Sequence, residues 1–369
     1  MRRLETIVIG GGPAGVAAAC GLASARRDVL LIERSAAPHH KVCGEFLSID
    51  TQAQLHRLGV DPTALGAVAI ERVAVYAGSR SIGAALPFRA LSLSRYRLDA
   101  GLLQRAADQG AELKRAVSAR QAVRDGDHWI VHCDGGEAIQ CQHLVIATGK
   151  WTLRGVDDAR DASLVGLKMH LRLAPNAQRG LDGAVELTLL GGYYAGLEPI
   201  EGGIANLCLL LPREVVGRLP RGWAALRDHL VAAAPHLAER LAGAEPLWAK
   251  PLAVVCPGGG HLWRESEPRT YRVGDRLAHI PPFTGDGLAI ALASGALAAE
   301  HIRRGQPPAA YQAAARRLAG RPVRLAALVS GLAKSRPGRT LLLGTSAHVP
   351  GLVGAIVRGT RLALTEQRL

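Results

Sequence analysis

Aromatic residues are scarce in this sequence, at 4% of 369 residues. That leaves few rings for stacking bases, and no recognisable nucleic-acid module accompanies the chain's basic excess, which speaks against a nucleic-acid partner. Cysteine is sparse too. Cys20, Cys43, Cys133, Cys141, Cys208 and Cys256 form no CxxC pair and no metal-ligand spacing, so neither a disulfide framework nor a bound metal is expected. The uncharged stretch 340–357 is interrupted by His348, Pro350 and several glycines and bracketed by Arg339 and Arg358. Such a segment dips into an interface more readily than it crosses a bilayer. A strand and a glycine-rich turn stand where a signal peptide would lie, so the expected place is the cytoplasm, with a peripheral position at the inner membrane face left open.

Acidic residues are nearly missing from one region only. Residues 301–369 hold twelve Lys or Arg against the single acid Glu366, so +11 of the net charge of +14 sits in this tail. A tail-specific partner is therefore the question to ask, and an anionic membrane or an acidic carrier protein fits better than nucleic acid. A solvated arginine-rich face is the plainer alternative. Within the tail, Arg316, Arg317, Arg321 and Arg324 recur at near-helical spacing along an amphipathic helix expected over 309–334. Broken helix is expected over 341–364.

What the chain does have starts at its N-terminus. Residues 4–9 read as a short buried strand that runs into Gly10-Gly11-Gly12-Pro13-Ala14-Gly15, followed by a helix of small residues over 16–26. A second apolar strand over 28–32 ends at Glu33-Arg34. This is the G-x-G-x-x-G arrangement of a dinucleotide site. Gly10 permits the tight turn, Gly12 lets the backbone approach a pyrophosphate, and Gly15 lets helix and strand pack closely. The helix start presents free N–H groups to the phosphates, and Glu33 is placed to accept ribose hydroxyls. The motif alone does not separate FAD from NAD.

Three later segments make that choice by resemblance. Residues 91–99, Leu-Ser-Leu-Ser-Arg-Tyr-Arg-Leu-Asp, resemble the segment of p-hydroxybenzoate hydroxylase-type flavoproteins whose arginine, here Arg95, sits beside the flavin's ribityl chain. The stretch 144–149, ending in Thr148-Gly149, resembles the strand and turn that close the same domain. Arg272-Val273-Gly274-Asp275 is similar to the second flavin fingerprint, whose aspartate binds a ribityl hydroxyl. The turn Thr284-Gly285-Asp286-Gly287, leading into an alanine-rich helix, and the segment Lys41-Val42-Cys43-Gly44-Glu45 resemble most the geranylgeranyl reductase-like branch of that superfamily. The resemblance covers residues 1 to about 305 and implies FAD as cofactor. It places Gly44, Gly285, Asp286 and Gly287 beside the flavin, with Cys43 as a candidate catalytic thiol. The hydroxylases' Asp-Gly motif is replaced by Ala147-Thr148-Gly149-Lys150-Trp151, which argues against direct hydroxylase-style use of NADPH.

The expected fold is α/β: a Rossmann-like, glutathione-reductase-type FAD domain with an inserted mixed or antiparallel sheet that forms the substrate side, and a helical C-terminus. Segments 1–65, 90–160 and 265–305 are assigned to the FAD domain, 66–89 and 161–264 to the substrate domain, and 306–369 to the C-terminal region. Strand texture over 70–77, 164–173, 184–190 and 204–211 carries the second assignment. His170, Tyr193, Tyr194 and Trp248 are the candidate substrate contacts. The expected activity is that of an FAD-dependent oxidoreductase on a lipophilic or carrier-linked substrate, polyketide- or isoprenoid-like. Monooxygenation with O2 leads, reduction of an alkene follows, and a non-catalytic flavin-binding protein is the alternative of another class. NAD(P)H is the expected electron donor, directly or through a partner reductase.

Overall fold

The structure is a computed structural model, and it describes residues 1–156, 163–219, 221–258, 260–335, 337–340, 344–345 and 351–362. Strand Arg2–Ile9 lies inside a seven-stranded sheet. Its parallel neighbours are Val29–Glu33 and Ala138–Ile146. Glu112–Arg115 lies beyond the first, and Thr270–Arg272 pairs with the second. These central strands are apolar without alternation because both faces are covered. Val8, Leu31 and Val145 pack under helices Pro13–Ala23 and Gly287–Arg303, while Ile7, Ile9, Leu30, Ile32 and Ile146 form a second core with Trp129 and Val131. Trp129 and Val131 belong to an antiparallel ribbon, Ala119–Asp125 with His128–Cys133, that continues the sheet. Close helix packing depends on Gly295, where a Cβ would lie 2.1 Å from the Ala14 carbonyl oxygen.

The second sheet has nine strands, in the order Glu245–Pro246, Leu164–Arg172, Ile204–Pro212, Tyr194–Ile200, Ala184–Leu189, Val68–Ala77, Arg80–Ser92, Phe46–Leu47, with Leu252–Cys256 also paired to Leu164–Arg172. Its pairings are antiparallel except that of Ala184–Leu189 with Val68–Ala77, so the sheet is mixed. It draws on more chain than the 66–89 and 161–264 segments. Phe46–Leu47 joins one edge, and strand Arg80–Ser92 runs across the expected division at 89/90 before the chain re-enters the first domain.

Register sorts the side chains of this sheet. Leu167, Met169 and Leu171 share one face with Leu207, Leu209 and Leu197, and that face is buried against helices Trp223–Ala233 and Pro235–Leu241. Successive strand residues point to opposite sides, so Lys168, His170, Asn206, Cys208, Tyr194, Gly196 and Glu198 share the other face. This is the polar face, and it carries the chemistry.

The C-terminal region begins with helix Pro308–Lys334, continuous through Pro322. Tyr311, Ala315, Ala319, Val323 and Ala326 are buried along it, and Arg316, Arg317, Arg321 and Arg324 are exposed. Of the broken helix expected over 341–364, Leu352–Gly359 is helical; 341–343, 346–350 and 363–364 lie outside the described residues. Among the described residues no helix is long and apolar enough to cross a membrane.

Candidate active site

The glycine turn at the end of strand Arg2–Ile9 divides its tasks as the spacing implies. Gly10 has φ +112°, and a Cβ there would lie 2.3 Å from the Ala147 carbonyl oxygen. A Cβ on Gly15 would lie 1.9 Å from the Gly10 carbonyl oxygen. Both positions are closed to any side chain. Gly12 is the opposite case: its Cβ would point into open space, with a guanidinium nitrogen of Arg95 at 3.9 Å as the nearest atom. Pro13 and Ala14 open the helix, and no side chain caps its first N–H groups. Free N–H groups, the positive end of the helix dipole and a guanidinium thus face one hollow, which suits a pyrophosphate.

Glu33 is buried and accepts from the Gly11 N–H at 2.7 Å and the Ser35 N–H at 2.9 Å. Burial opposes its charge, but these backbone bonds and the Lys41 ammonium hold its carboxyl below the usual range. It lines a small cavity with Ser35, His39, Lys41 and Asp99, where an anionic acceptor suits a ribose. Arg34 lies over the exposed Trp151 ring at 4.0 Å.

Arg95 opens helix Arg95–Asp108 and is locked by a bidentate pair to Asp99, at 2.7 and 2.9 Å. Lys41 also pairs with Asp99, at 2.8 Å. A cavity of about 320 Å³ is lined by Gly149, Lys150, Trp151, residues 253–257, Asp275, Arg276 and His279. Gly149 and Asp275, two of the expected flavin contacts, therefore share one cavity wall. Thr148 lies two residues beyond strand Ala138–Ile146, its hydroxyl donating to the Trp151 carbonyl. Gly274 takes φ +59°, and Ala14 lies where a Cβ would be 3.0 Å away, so the second fingerprint abuts the first. Open backbone at Gly12, uncapped helix N–H groups, a carboxylate on the adenosine side and a cavity beside Asp275 together fit FAD.

Between this cradle and the polar sheet face lies the turn Cys43-Gly44-Glu45. Glu45 has φ +65°, a left-handed conformation that its side-chain contacts hold in place. Its carboxylate is fully buried. Oε1 accepts from the Arg95 N–H at 2.6 Å and from the fully buried Lys168 ammonium, and Oε2 meets His170 Nε2 at 3.0 Å. Burial opposes the Glu45 charge, but Lys168 and His170 more than offset it and hold its carboxyl below the usual range. Asn206 completes the anchor by donating to the Cys43 and Gly44 carbonyls at 3.1 and 2.9 Å.

The Cys43 thiol accepts from the Glu45 N–H at 3.4 Å and acts electrostatically on Arg95, Lys150, Tyr194 and Cys208. These groups share one locality. Burial disfavours the Lys150 charge, but Cys256 and Asp275 more than offset that and keep the ammonium protonated. Burial, and secondarily Cys43, pushes the Cys208 thiol up to about 12.

The four candidate substrate residues part company. His170 belongs to the Glu45 anchor, and Trp248 stacks on it at 4.6 Å. Tyr194 lies on the polar face, edge-on to Phe283 at 6.1 Å, and burial holds its hydroxyl well above its ordinary value. Tyr193 bonds and stacks with His229 and packs with the helix-covered core, on the far side of the sheet. His40, Glu45 and His170 bring ligand atoms within 4.8 Å of one another. The Lys168 ammonium on Glu45 opposes a divalent cation there. Sequence reasoning passed over Glu45, Asn206, Glu198, Lys150 and Cys208 as site residues. For Glu198, Asn206 and Cys208 the available signal was polar or small residues at alternate positions on otherwise apolar strands.

Gly285 has φ +73° and packs against Phe46, and Gly287 opens helix Gly287–Arg303 with no side-chain cap, so its N–H groups are free to serve a ligand. The Asp286 side chain is engaged elsewhere. It is fully buried and ion-paired to Arg361, which also donates to the Thr284 carbonyl at 3.1 Å and lies 5.0 Å from the Phe88 ring. The Leu362 N–H donates to Asp50 at 3.0 Å. The C-terminal segment 351–362 is thus strapped to the flavin-side turn. Burial raises Asp286 to about 7, with Arg361 pulling against it. Arg361→Gln should therefore speed proteolytic nicking within 351–362, because the strap loses its ion pair to Asp286 and its bond to the Thr284 carbonyl. Equal nicking rates for the variant and the unmodified chain would contradict the assignment.

A family model described as pyridine nucleotide-disulphide oxidoreductase matches residues 4–199. The menaquinone reductase of Mycolicibacterium smegmatis is 27% identical over 331 residues, covering 82% of this chain and 77% of the relative. Digeranylgeranylglycerophospholipid reductase 2 of Methanopyrus kandleri is 29% identical over 320 residues, covering 80% and 76%. The solved structure of the flavin-dependent brominase Bmp2 shares the fold, with a TM-score of 0.79 at 19% identity over 97% of this chain and 93% of that one.

Proposed function

Because the chain belongs to the pyridine nucleotide-disulphide oxidoreductase family and is an FAD-dependent oxidoreductase, we propose that it reduces a carbon–carbon double bond in an isoprenoid lipid. The observation that carries this reading is the Cys43-Gly44-Glu45 turn, pinned by buried charge between the nucleotide cradle and the polar sheet face. A fold shared with a brominase does not choose the chemistry. The two sequence relatives do bear on it, since both are named as reductases, one of menaquinone and one of digeranylgeranylglycerophospholipid.

Bound FAD supplies the hydride equivalent for such a reduction. This chain's residues supply the rest. Gly12 and the helix start hold the pyrophosphate, Glu33 the ribose, and Asp275 the ribityl side. Cys43 holds at Sγ the proton that completes the second carbon, with Arg95 and Lys150 beside it to stabilise the thiolate left behind. Tyr194 and Trp248 give the substrate apolar wall. Electrons come from NAD(P)H; the Thr148-Gly149-Lys150-Trp151 departure supports delivery through a partner reductase. Chemically reduced enzyme mixed anaerobically with polyprenyl lipids should reoxidise and yield a product two hydrogens heavier. A product that instead gains one oxygen atom, and only in air, would assign monooxygenation.

A lipid substrate also gives the basic tail a partner. The exposed Arg316, Arg317, Arg321 and Arg324 would dock the enzyme on anionic lipid, each contributing on the order of 1 kcal/mol. Changing the four to Gln should weaken co-sedimentation with anionic vesicles while FAD content stays unchanged. If the unmodified protein does not bind such vesicles at low salt, the face is only solvated.

A further inference from the structure

On the polar sheet face, Glu198 stands directly across from Asn206, which in turn stands across from His170. Glu198 is 3% exposed and Asn206 1%. The two Asn206 donor bonds run to the Cys43 and Gly44 carbonyls, groups that only accept, so the amide orientation is fixed and Oδ1 must face a donor. Oδ1 has no such donor, and neither Glu198 carboxylate oxygen has a hydrogen-bond partner. Unpartnered acceptors on two directly opposed residues in a dry interior are costly, and one proton shared between them removes the conflict. The neighbouring charges favour that proton. Glu45 opposes a second anion, and the Lys168 ammonium, which would favour one, is already committed to Glu45. Burial, then Glu45, holds the Glu198 carboxyl well above the usual range, against the smaller opposing pulls of Lys168 and the Asn206 amide.

We propose that Glu198 is a neutral carboxylic acid whose O–H donates to Asn206 Oδ1, and that this bond makes it a positioning residue for Cys43. The hydrogen bonds then run in one direction, from the Glu198 hydroxyl to the Asn206 amide to the Cys43 and Gly44 carbonyls. The turn is held on one side by charge, through Glu45, and on the other by a neutral acid. An ionised Glu198 would face Oδ1 with like polarity and push the amide off the turn. The role in turnover rests on the reading of Cys43 given above; the protonation and the clamp do not.

Infrared spectroscopy at about pH 8.5, where Asp286 is ionised, should show the carbonyl band of a protonated carboxylic acid. That band should be missing from Glu198→Gln. The Gln amide keeps a donor for Oδ1, so alkylation of Cys43 by iodoacetamide, followed by peptide mapping, should stay within about twofold of the unmodified protein. Glu198→Ala removes the bond that orients the Asn206 amide and Asn206→Ala removes both of its bonds to the turn, so in each the alkylation rate should change by about tenfold. If the enzyme reduces an alkene, kcat should fall in the Ala variants and be restored in Glu198→Gln. Absence of the band from the unmodified protein, its survival in Glu198→Gln, or equal alkylation in the Gln and Ala variants would overturn the proposal. An intact band and clamp without alkene turnover would instead overturn the reductase reading alone.

Discussion

Gly12→Glu should give a folded, colourless protein that releases no FAD on denaturation, whereas the unmodified protein should be yellow and release FAD. The geometry separates binding from folding at this position. The new side chain leaves the backbone into open space, so no packing is lost, and its carboxylate can reach Arg95. It then occupies the hollow a pyrophosphate would fill, and its charge opposes the anion for which the helix start and Arg95 are arranged. Gly15→Ala makes the control. Its Cβ would meet the Gly10 carbonyl oxygen at 1.9 Å, so it should damage the strand–helix junction itself and lower thermal stability along with FAD content. Normal FAD content in a folded Gly12→Glu protein would remove the basis of the nucleotide assignment.

Lys168→Met should be the most destabilising single change at the site. It leaves the fully buried Glu45 carboxylate without its ammonium partner, a loss of about 3–5 kcal/mol against a typical total of about 5–15. Adding Glu45→Gln to Lys168→Met should recover part of that loss, because the uncompensated charge goes too. Urea unfolding of the two variants and the unmodified chain measures both effects. The pH response has a definite sign. Folding holds the Glu45 carboxyl below its ordinary value, so its contribution is present above about pH 4.5 and is lost as pH falls through the lower folded value. A double variant no more stable than Lys168→Met would show that the charge pair is not what holds the turn.

Much of the nucleotide half was legible because its chemistry is local. A strand, a turn of fixed length and a helix start within residues 2–23 place Gly10, Gly12 and Gly15 through backbone sterics alone. Glu33 follows at the end of the next parallel strand, whose pairing beside the first is nearly obligatory in a βαβ unit. The four strands expected over 70–77, 164–173, 184–190 and 204–211 appear within two residues of those limits, since apolar and β-branched runs report burial directly. Tyr194–Ile200 was hidden: its Gly196 and Pro199 read as turn residues, and only pairing on both sides makes it a strand. Strand Arg80–Ser92 likewise runs unbroken across position 89/90, where its pairing with Val68–Ala77 and Phe46–Leu47 rather than its composition sets its length.

By itself, then, the sequence determined the βαβ cradle, the apolar strands and the exposed arginine face, because each depends on residues a few positions apart. Only the tertiary structure decided the contacts around Cys43. Glu45 and Lys168 are separated by 123 positions and Asn206 and Gly44 by 162, so nothing in their local surroundings marks them as partners. Tertiary structure also moved Tyr193 to the far face of its sheet, because strand register alone assigns neighbouring residues to opposite sides. It turned Asp286 toward Arg361 as well, since a buried carboxylate takes the cation that reaches it, here one from 75 residues further along the chain.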